Sequence, residues 1–400
     1  MDAHSLYLHI PFCSHRCCYC DFNTYAGLES LIPAYVSALC RELEFLRTVS
    51  ETRLPVHTIF FGGGTPSLLP PAELSRIISS IDEAFDLLPG LEITLEANPG
   101  TLTRSYLGDL RKLHVNRLSL GMQSARPEEL RLLERQHDFG DVARSVTWAR
   151  AAGFDNLNLD LIFGLPYQGL EAWQTSLELA LGLAPDHFSL YALTLEHGTP
   201  LAHWAARGQI DEPDPDLAAE MYDWAADRLE QRGYLQYEIS NWARSEEGGV
   251  LMACRHNLQY WRNRPYLGIG AGAHGYAESL RTANVLSPRA YIQRFLPNDG
   301  DSAAPRLSFP LTPATVHVES IDRKSEMGET MMMGLRLTRE GVSRSDFRTR
   351  FGCEIEDVFG VEIETLRSQG LLSWGDGNGE RLQLTSRGRL LGNQVFIQFI

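Results

Sequence analysis

The chain has 400 residues, of which 44% are hydrophobic and 22% charged, and these values predict a soluble globular protein with one large domain and one smaller domain. Its formal net charge of −15 argues against a protein that binds nucleic acid by neutralising phosphates. The first residues lack the basic and apolar regions of a signal peptide, and no apolar run reaches the roughly 18 residues that span a bilayer, so we expect a cytoplasmic protein that is not integral to a membrane.

Short apolar runs alternate with helical patterns from the first residues to the middle of the chain. The expected strands are 5–10, 57–64, 91–99, 116–124, 156–166 and 187–195. The expected helices are about 31–48, 71–86, 103–113, 127–135, 140–152, 170–183 and 215–232. Repeated strand–helix units predict an α/β fold with a parallel sheet, and their number favours a full or partial TIM-type (β/α) barrel over a doubly wound open sheet.

The last quarter of the chain has a different pattern. Residues 291–324 include a stretch rich in Pro, Asp, Ser and Ala, which predicts a linker or an exposed excursion. Two or three helical segments follow, and then two short strands around the glycine-rich turn GDGNGE. We therefore expect a barrel domain over 1–290 and a small, mainly helical, winged-helix-like domain over 325–400.

Small or polar residues recur at the C-terminal ends of the expected strands. They are Cys13, 62–65, Glu96, Gln123, Asp160 and Thr194. Any one of them could be a helix cap or part of a surface ion pair. In a barrel, however, ligands bind at the rim formed by these strand ends, so the series predicts a ligand site there.

The stretch HIPFCSHRCCYCDF, residues 9–22, contains four of the chain's seven cysteines. Because disulfides are rare in the cytoplasm, such a cluster indicates metal binding or catalysis. The spacing of Cys13, Cys17 and Cys20 suits a soft metal or an iron–sulfur cluster. Neighbouring loop residues point to different sides, so we expect Cys18 to be a packing residue or a spare thiol that does not bind the metal.

A zinc site is the alternative for this cluster. Zinc in a structural site needs a fourth protein ligand, and His9 and His15 are close enough in sequence to supply one. A four-iron cluster held by three cysteines would instead leave one iron open for a small ligand.

The next two strand ends indicate how such a ligand could be held. In FFGGGTPS, residues 60–67, the glycines let the backbone approach a ligand closely, and the N–H groups could bind an anion. In LEANP, Glu96 could hold an ammonium group or a ribose hydroxyl. Gln123, Arg135 and Asp160 could complete the site.

Together these motifs resemble the radical S-adenosylmethionine (SAM) superfamily. LYLHIPFC, CYCDF, FFGGGTPS, LEANPG, GMQS, LLERQH, DLIFGLPYQ, QYEISNWA, HNLQYW and YLGIGAGAHG resemble, within it, the HemN/HemW group. The resemblance extends over roughly residues 5–280, and the C-terminal region resembles the small C-terminal domain of that group.

The resemblance implies the cofactors and their ligands. Cys13, Cys17 and Cys20 would bind a [4Fe–4S] cluster whose open iron binds SAM. The implied SAM contacts are Tyr7, Tyr19, Gly63, Gly64, Thr65, Glu96, Gln123, Arg135, Asp160 and Thr194. The difficult chemistry would belong to the cofactors, and the protein would orient and shield them.

Two functions in that group compete. One is a HemW-type heme chaperone, and the other is an oxygen-independent coproporphyrinogen III dehydrogenase, which forms protoporphyrinogen IX by oxidative decarboxylation. The resemblance implies a longer segment before the cluster motif in the dehydrogenases, whereas Cys13 follows twelve residues. It also implies a further Cys two positions after the third ligand, where this chain has Phe22. Both differences favour the chaperone, and whether SAM is cleaved stays open.

The segment HNLQYW, residues 256–261, matches a pattern that the resemblance associates with heme binding. The implied heme contacts are His256, Asn257, Tyr260 and Trp261. His256 is then the candidate axial ligand, with Cys254 and His274 as local rivals. The residues alone favour a loop cap formed by His256 and Asn257 with Trp261 in the core, and only the resemblance brings in heme contact. The implied partners are heme as cargo, acceptor hemoproteins that include membrane-bound ones, and an electron donor, with peripheral membrane association during delivery.

Overall fold

The structure of the protein is a computed structural model that describes residues 3–245, 249–296, 307–375 and 379–400. The strands are β1 His4–Ile10, β2 Phe12–Cys13, β3 Tyr25–Ala26, β4 Pro55–Gly63, β5 Asp86–Ala97, β6 Arg117–Gln123, β7 Leu157–Phe163, β8 His187–Ala192, β9 Tyr234–Glu238, β10 Asn241–Arg244, β11 Tyr266–Ile269, β12 His274–Ala277, β13 Leu280–Asn284, β14 Thr315–Ser320, β15 Val342–Ser343, β16 Leu372–Gly375 and β17 Arg381–Leu384.

The α-helices alternate with these strands through the first half of the chain. They are α1 Ile32–Val49, α2 Pro71–Ala84, α3 Arg104–Lys112, α4 Pro127–Leu132, α5 Phe139–Ala151, α6 Leu170–Gly182, α7 Pro200–Ala206, α8 Pro215–Gln231, α9 Arg255–Trp261, α10 Pro288–Phe295, α11 Arg323–Gly334, α12 Arg344–Phe351, α13 Ile355–Ser368, α14 Ser386–Leu390 and α15 Gly392–Phe396. Short 3₁₀ turns are formed by Glu29–Leu31, Pro66–Leu68 and Pro99–Thr101. None of the helices in the described ranges has the length and apolar character needed to cross a bilayer.

The chain folds into two compact units. The first comprises 1–225 and 265–319, and the second comprises 226–264 and 320–400. The expected domains 1–290 and 325–400 placed 226–264 with the barrel, whereas the structure groups them with the C-terminal residues. Hydrogen bonds explain that grouping, because Thr338 donates from its N–H to the carbonyl of Tyr237 at 3.0 Å.

The segment expected as a linker, 291–324, is only partly separate from the folded units. Residues 297–306 lie outside the described residues. Beyond them Thr312 is buried, and its hydroxyl donates to the carboxylate of Glu42 at 2.8 Å. Residues 309–315 are therefore packed into the first unit, whereas 316–319 of β14 extend its sheet and are exposed.

The sheet of the first unit is mostly parallel, as the sequence predicted. Seven strands lie in the order β11-β1-β4-β5-β6-β7-β8 and pair in parallel, and β12 and β13 continue the sheet antiparallel beside β11. From β1 to β8 the spatial order follows the chain order, with no reversal of the kind that defines a doubly wound sheet. A parallel sheet that winds in one direction is typical of a barrel. Because the strand order has two ends and does not close on itself, the barrel is partial.

Local sequence explains why the main elements form. Strands β1, β6 and β7 are buried on both faces, as expected for parallel strands covered by helices. Pro71 occupies the first turn of α2, where its missing N–H costs nothing. Thr103 caps α3 by accepting from the N–H of Tyr106 at 3.2 Å, and Asp214 accepts from the N–H of Asp216 at 2.9 Å just before α8.

The second unit contains the helical C-terminal domain and a small sheet. Strands β15, β17 and β16 form this sheet in that order, antiparallel throughout. Helices α11, α12 and α13 cover it, and Met331, Phe347, Ile355, Val395 and Leu382 are among the buried side chains of the shared core. The arrangement confirms the expected mainly helical domain with a strand hairpin, and residues 376–378 lie outside the described residues.

Candidate functional site

One cavity of about 370 Å³ opens at the C-terminal ends of the parallel strands of the first unit. The predicted residues that line it are Cys13, Cys17, Tyr19, Cys20, Gly63, Gly64, Thr65, Glu96, Gln123, Arg135, Asp160 and Thr194. They come from strand ends and loops that are far apart in the chain. The parallel topology brings them together because it places all those strand ends at one edge of the sheet.

The cysteine loop is closed at its base by a short parallel pairing. Strand β2 pairs with β3, so that Phe12 lies opposite Tyr25 and Cys13 opposite Ala26. Among the residues that the structure describes, no three His, Cys, Asp or Glu side chains converge on one point as the ligands of a single ion would. Thiolates of a four-iron cluster each bind a different iron atom, so they need only surround the cluster.

Cys18 points away from the other three thiols. It is fully buried, and its thiol donates to the carbonyl of Leu132 in α4 at 3.1 Å. Its own carbonyl accepts from the N–H of Leu201 at 3.0 Å. Burial, before any nearby charge, raises the pKa of the Cys18 thiol to about 12, so it remains protonated at neutral pH. This geometry supports the expectation that Cys18 is not a metal ligand.

The glycine turn after β4 requires residues without a side chain. Gly63 has φ +111°, and a Cβ on it would lie 2.5 Å from the ring of His9. A Cβ on Gly64 would lie 2.6 Å from the carbonyl oxygen of Phe12. The turn therefore packs directly against β1 and the start of the cysteine loop.

The N–H groups of this turn are used inside the protein, which corrects one expectation. Gly64 donates to the carbonyl of Ile10 and Thr65 to that of Phe12, each at 2.8 Å, and Gly63 donates to the Glu96 carboxylate at 3.2 Å. The expected role of these N–H groups in binding an anionic ligand is therefore not available. The turn instead joins β4 to the cysteine loop and to Glu96.

Two carboxylates, Glu96 and Asp160, face the cavity, and the buried Arg117 is the cation whose charge acts on both of them. Burial, together with the nearby charge of Asp160, raises the pKa of Glu96 to about 8, although the hydrogen bond from Gly63 and the charge of Arg117 oppose the rise. Burial also raises the pKa of Asp160, although hydrogen bonds from Ser119 at 2.9 Å and Asn158 at 2.8 Å oppose the rise. A cationic ligand in the cavity would favour the charged form of both groups.

Arg135 lines the same cavity and carries the opposite charge to Glu96 and Asp160. Its guanidinium donates to the amide oxygen of Asn98 at 2.6 Å, to the carbonyl of Gly121 at 2.9 Å and to the sulfur of Cys17 at 3.6 Å. Its Nε is buried and has no partner among the described residues. Arg135 thus places positive charge beside the cysteine loop and retains one donor for a ligand.

Comparison with known proteins identifies the family. Residues 7–180 match the Radical SAM superfamily, and residues 321–391 match the HemN C-terminal domain. The chain is 37% identical over 398 residues to the heme chaperone HemW of Bacillus subtilis, with 99% of each chain covered. It is 38% identical to the heme chaperone HemW of Mycobacterium tuberculosis, with 98% of this chain and 93% of the other covered. The chain belongs to the HemW family of radical SAM proteins.

A solved structure gives the fold of the whole chain. The coproporphyrinogen III oxidase HemN of Escherichia coli, described as a radical SAM enzyme, matches with a TM-score of 0.80 over 99% of this chain and 90% of the other, at 24% identity. That likeness confirms the predicted fold class.

Membership of the radical SAM superfamily implies a [4Fe–4S] cluster and SAM, and the cavity of this HemW-family chain fits both. A bound and reduced cluster would be able to supply one electron to the sulfonium of SAM, and Cys13, Cys17 and Cys20 would hold the cluster. SAM carries a sulfonium and an ammonium group, which match the carboxylates of Glu96 and Asp160 in the cavity wall. It also carries a carboxylate, which matches the guanidinium of Arg135.

Tyr7 and Gln123 differ in where the structure places them. Gln123 lines the cavity from the end of β6, and its φ of +63° is in the left-handed region, which is rare for a residue other than glycine. Tyr7 is not among the described residues that line the cavity. Its hydroxyl hydrogen-bonds His9 Nδ1 at 3.0 Å, and burial raises its pKa. Tyr7 therefore lies one layer behind the cavity wall.

The predicted heme-contact residues lie in the second unit, on α9. His256 is buried, and its Nε2 hydrogen-bonds the Tyr260 hydroxyl at 2.9 Å. The guanidinium of Arg336 lies 4.5 Å from the centre of the Trp261 ring, and Asn257 is half-buried on the first turn of the helix. Of the rival ligands, Cys254 is the buried N-cap of α9, whereas His274 belongs to β12 of the first unit.

Two residues near the cysteine thiols were not predicted from the sequence. Thr24 contacts a thiol directly, and Asn98 does so through Thr65 and Arg135. Thr24 is buried beside Cys20, and Asn98 joins Thr65 to Arg135. Both lie in motifs that the sequence analysis quoted or bordered, CDFNT and LEANP. The available signal was their nearness in sequence, since Thr24 follows Cys20 by four positions and Asn98 follows Glu96 by two.

Proposed function

We propose that the protein is a heme chaperone that holds a [4Fe–4S] cluster and SAM, binds heme and transfers it to acceptor hemoproteins. The observation that carries this proposal is the identity of 36–38% to proteins named heme chaperone HemW from Bacillus, Lactococcus and Mycobacterium, over 98–99% of this chain. Phe22 adds support, because it stands where the dehydrogenase pattern has a further cysteine.

In this proposal the cavity residues hold the cofactors. Cys13, Cys17 and Cys20 bind three irons of the cluster as thiolates. A cationic group that enters the cavity lowers the pKa of Glu96 and of Asp160, because the new positive charge favours their charged forms. The other cavity contacts that we propose for SAM are Tyr19, Gly63, Gly64, Thr65, Gln123, Arg135 and Thr194, with Tyr7 supporting them from behind.

We assign heme contact to the α9 segment. His256 can bind iron through a ring nitrogen, and Tyr260 and Trp261 can cover part of the porphyrin face. Ligation through Nε2 of His256 requires the Tyr260 hydroxyl to release its hydrogen bond. Heme binding is therefore expected to reorient Tyr260, and Tyr260→Phe should not weaken the binding of heme.

The remaining partners follow from the same proposal. Acceptor hemoproteins, some of them membrane-bound, would receive the heme, and an electron donor would reduce the cluster. The protein would work in the cytoplasm and associate peripherally with a membrane only during delivery.

A heme titration tests the proposal. Purified protein is titrated with heme while the Soret band is followed, alongside His256→Ala and a control, His317→Ala, whose histidine is exposed on β14. We expect saturable binding by the unmutated chain and the control, and binding by His256→Ala that is weaker by at least about tenfold, as the loss of an axial ligand implies. Absence of a Soret shift in the unmutated protein would remove the proposal.

A second assay addresses the dehydrogenase alternative. Protein with a reconstituted cluster is given coproporphyrinogen III, SAM and dithionite without oxygen. We expect no protoporphyrinogen IX, and its formation at each turnover would show a dehydrogenase instead of a chaperone alone.

A further inference from the structure

Each of the three candidate ligand thiols has a side-chain hydrogen-bond donor beside it. The contacts are Thr65 Oγ1 to Cys13 Sγ at 3.6 Å, Arg135 Nη1 to Cys17 Sγ at 3.6 Å and Thr24 Oγ1 to Cys20 Sγ at 3.8 Å. Once the sulfurs are thiolates they can only accept, so the two threonine hydroxyls must be the donors. The donors come from three separate places in the chain, and the fold brings one to each sulfur.

The direction of the Thr65 contact is set by Asn98. The amide nitrogen of Asn98 donates to Thr65 Oγ1 at 3.0 Å, which leaves the hydroxyl proton of Thr65 free to point at the sulfur of Cys13. The amide oxygen of the same Asn98 accepts from Arg135 at 2.6 Å. One amide therefore orients two of the three sulfur donors.

The third donor, Thr24, is positioned by the residue before it. The amide of Asn23 donates to the carbonyls of Ala271 at 3.1 Å and Leu286 at 3.0 Å. A Cβ on Gly272 would lie 2.3 Å from that amide, so the turn around Gly272 packs against Asn23 as closely as a glycine permits. These contacts fix the end of the cysteine loop at the position where Thr24 meets Cys20.

Both threonines act in an environment that excludes water. Thr24 is 4% exposed and Thr65 is 2% exposed. A hydrogen bond to a charged sulfur is stronger in such a site than in water.

We propose that Thr24, Thr65 and Arg135 donate hydrogen bonds to the cluster thiolates and thereby raise the reduction potential of the cluster, and that Asn98 is the positioning residue for two of them. Reduction adds one electron, and so one negative charge, to the cluster and its thiolates. Donors to the sulfurs stabilise the more negative state more strongly, which raises the potential. The inference rests on the cysteine ligands of the proposed function, but not on heme.

The test is a redox titration of the reconstituted protein. Iron and sulfide are first measured, and the midpoint potential of the cluster is then found by electron paramagnetic resonance during titration with dithionite and mediators. Thr24→Val and Thr65→Val keep the shape of the side chain and remove the donor. We expect both to have a lower midpoint potential than the unmutated protein at equal cluster content, and Thr24→Ser and Thr65→Ser to restore it.

The matched control is Thr94→Val. Thr94 is also fully buried, its hydroxyl has no partner in the described part of the chain, and it does not line the cavity, so its replacement should leave the potential unchanged. Valine variants at the potential of the unmutated protein would overturn the inference.

If a valine variant takes up no cluster, Asn98→Ala decides instead, because it keeps every thiol and hydroxyl. A lowered potential in Asn98→Ala supports the inference, and an unchanged potential overturns it. Unmutated protein that takes up no iron would overturn the cluster ligands themselves, whereas failure to bind heme would leave this inference standing.

Discussion

Two glutamates of the first unit, the buried Glu42 and the half-buried Glu96, show how one residue type serves structure in one place and ligand binding in another. Glu42 of α1 accepts hydrogen bonds from four donors, which are Gly270 N at 2.9 Å, Asn284 Nδ2 at 3.0 Å, Tyr291 Oη at 2.6 Å and Thr312 Oγ1 at 2.8 Å. Glu96 of β5 accepts one from Gly63 at 3.2 Å and faces a cavity beside another acid, Asp160. Glu42 is satisfied by the protein, whereas Glu96 is left for a ligand to satisfy.

Burial raises the pKa of both carboxyl groups, so burial alone does not separate the two roles. The difference lies in the number of donors and in what lies opposite. Around Glu42 the donors come from a glycine turn, β13, α10 and residue 312, and the carboxylate joins these segments to α1. Glu96 instead lines the cavity, and the side chains of Asp160 and Arg135 line the same cavity.

The largest effect is expected when the satisfied carboxylate is removed. Glu42→Ala leaves the buried donors of Gly270, Tyr291 and Thr312 without this acceptor, whereas Asn284 keeps the carbonyls of Gly268 and Gly270. Each such group costs about 1–3 kcal/mol, so we expect the free energy of unfolding to fall by at least about 3 kcal/mol. Urea denaturation measures this. The control is Glu44→Ala on the same helix, where the side chain is exposed and the expected change is within about 0.5 kcal/mol. Equal effects of the two variants would contradict the structural role of Glu42.

The second effect is a change in pH dependence at Glu96. Its pKa in the folded chain, about 8, is above its ordinary value of 4.5, so the folded state holds a proton that the unfolded state loses between these values. Its contribution to stability is thus complete below about pH 4.5 and is lost as the pH rises through about 8. Glu96→Gln cannot lose that proton, so the variant should gain stability relative to the unmutated, ligand-free chain as the pH rises from about 5 to about 9.

Thermal unfolding across that pH range, without SAM, checks this prediction. A difference in melting temperature that stays constant with pH would contradict it. In the same variant, SAM should bind at least about tenfold more weakly in a calorimetric titration, because a charge-assisted contact is replaced by a neutral one. A variant with tighter SAM binding would show that Glu96 does not meet the cationic groups of the ligand.

The sequence was sufficient for the parts of the fold that depend on short-range patterns. The apolar runs of β1, β6 and β7 were found within a few residues of their observed ends, because parallel strands buried on both faces are continuous apolar segments. Strand β5 begins at Asp86, ahead of the expected residue 91, since Asp86 pairs with Pro55 across a register shift that no local pattern announces.

Site residues at strand ends could be predicted from the sequence, whereas contacts made by loops could not. Glu96 and Asp160 were predicted because both end strands, and strand ends of a parallel sheet meet at one edge. The contacts of Thr24 and Asn98 depend on the conformation of loops. Asn98 meets Thr65 from 33 positions away, and such a contact has no signal in spacing or periodicity. The internal use of the Gly64 N–H was missed for the same reason.

The smallest effect is expected at Cys18, and it sharpens the contrast between a residue held by the protein and one held for a ligand. Cys18→Ala removes one hydrogen bond, to Leu132, and a buried sulfur, so we expect the free energy of unfolding to fall by about 1 kcal/mol while the cluster is retained. Cys17→Ala removes a sulfur that faces the cavity and should lose the cluster.

Iron and sulfide content and the visible spectrum after reconstitution compare the two variants directly. Cys17 and Cys18 give a well-matched comparison, because they are consecutive residues of one loop and differ chiefly in the direction in which their thiols point. Cys17 is beside Arg135 in the cavity wall, whereas Cys18 is sealed against α4 with its pKa raised by burial. If Cys18→Ala lost the cluster and Cys17→Ala kept it, the loop would have to turn its other face to the metal, and the ligand set would have to be reassigned.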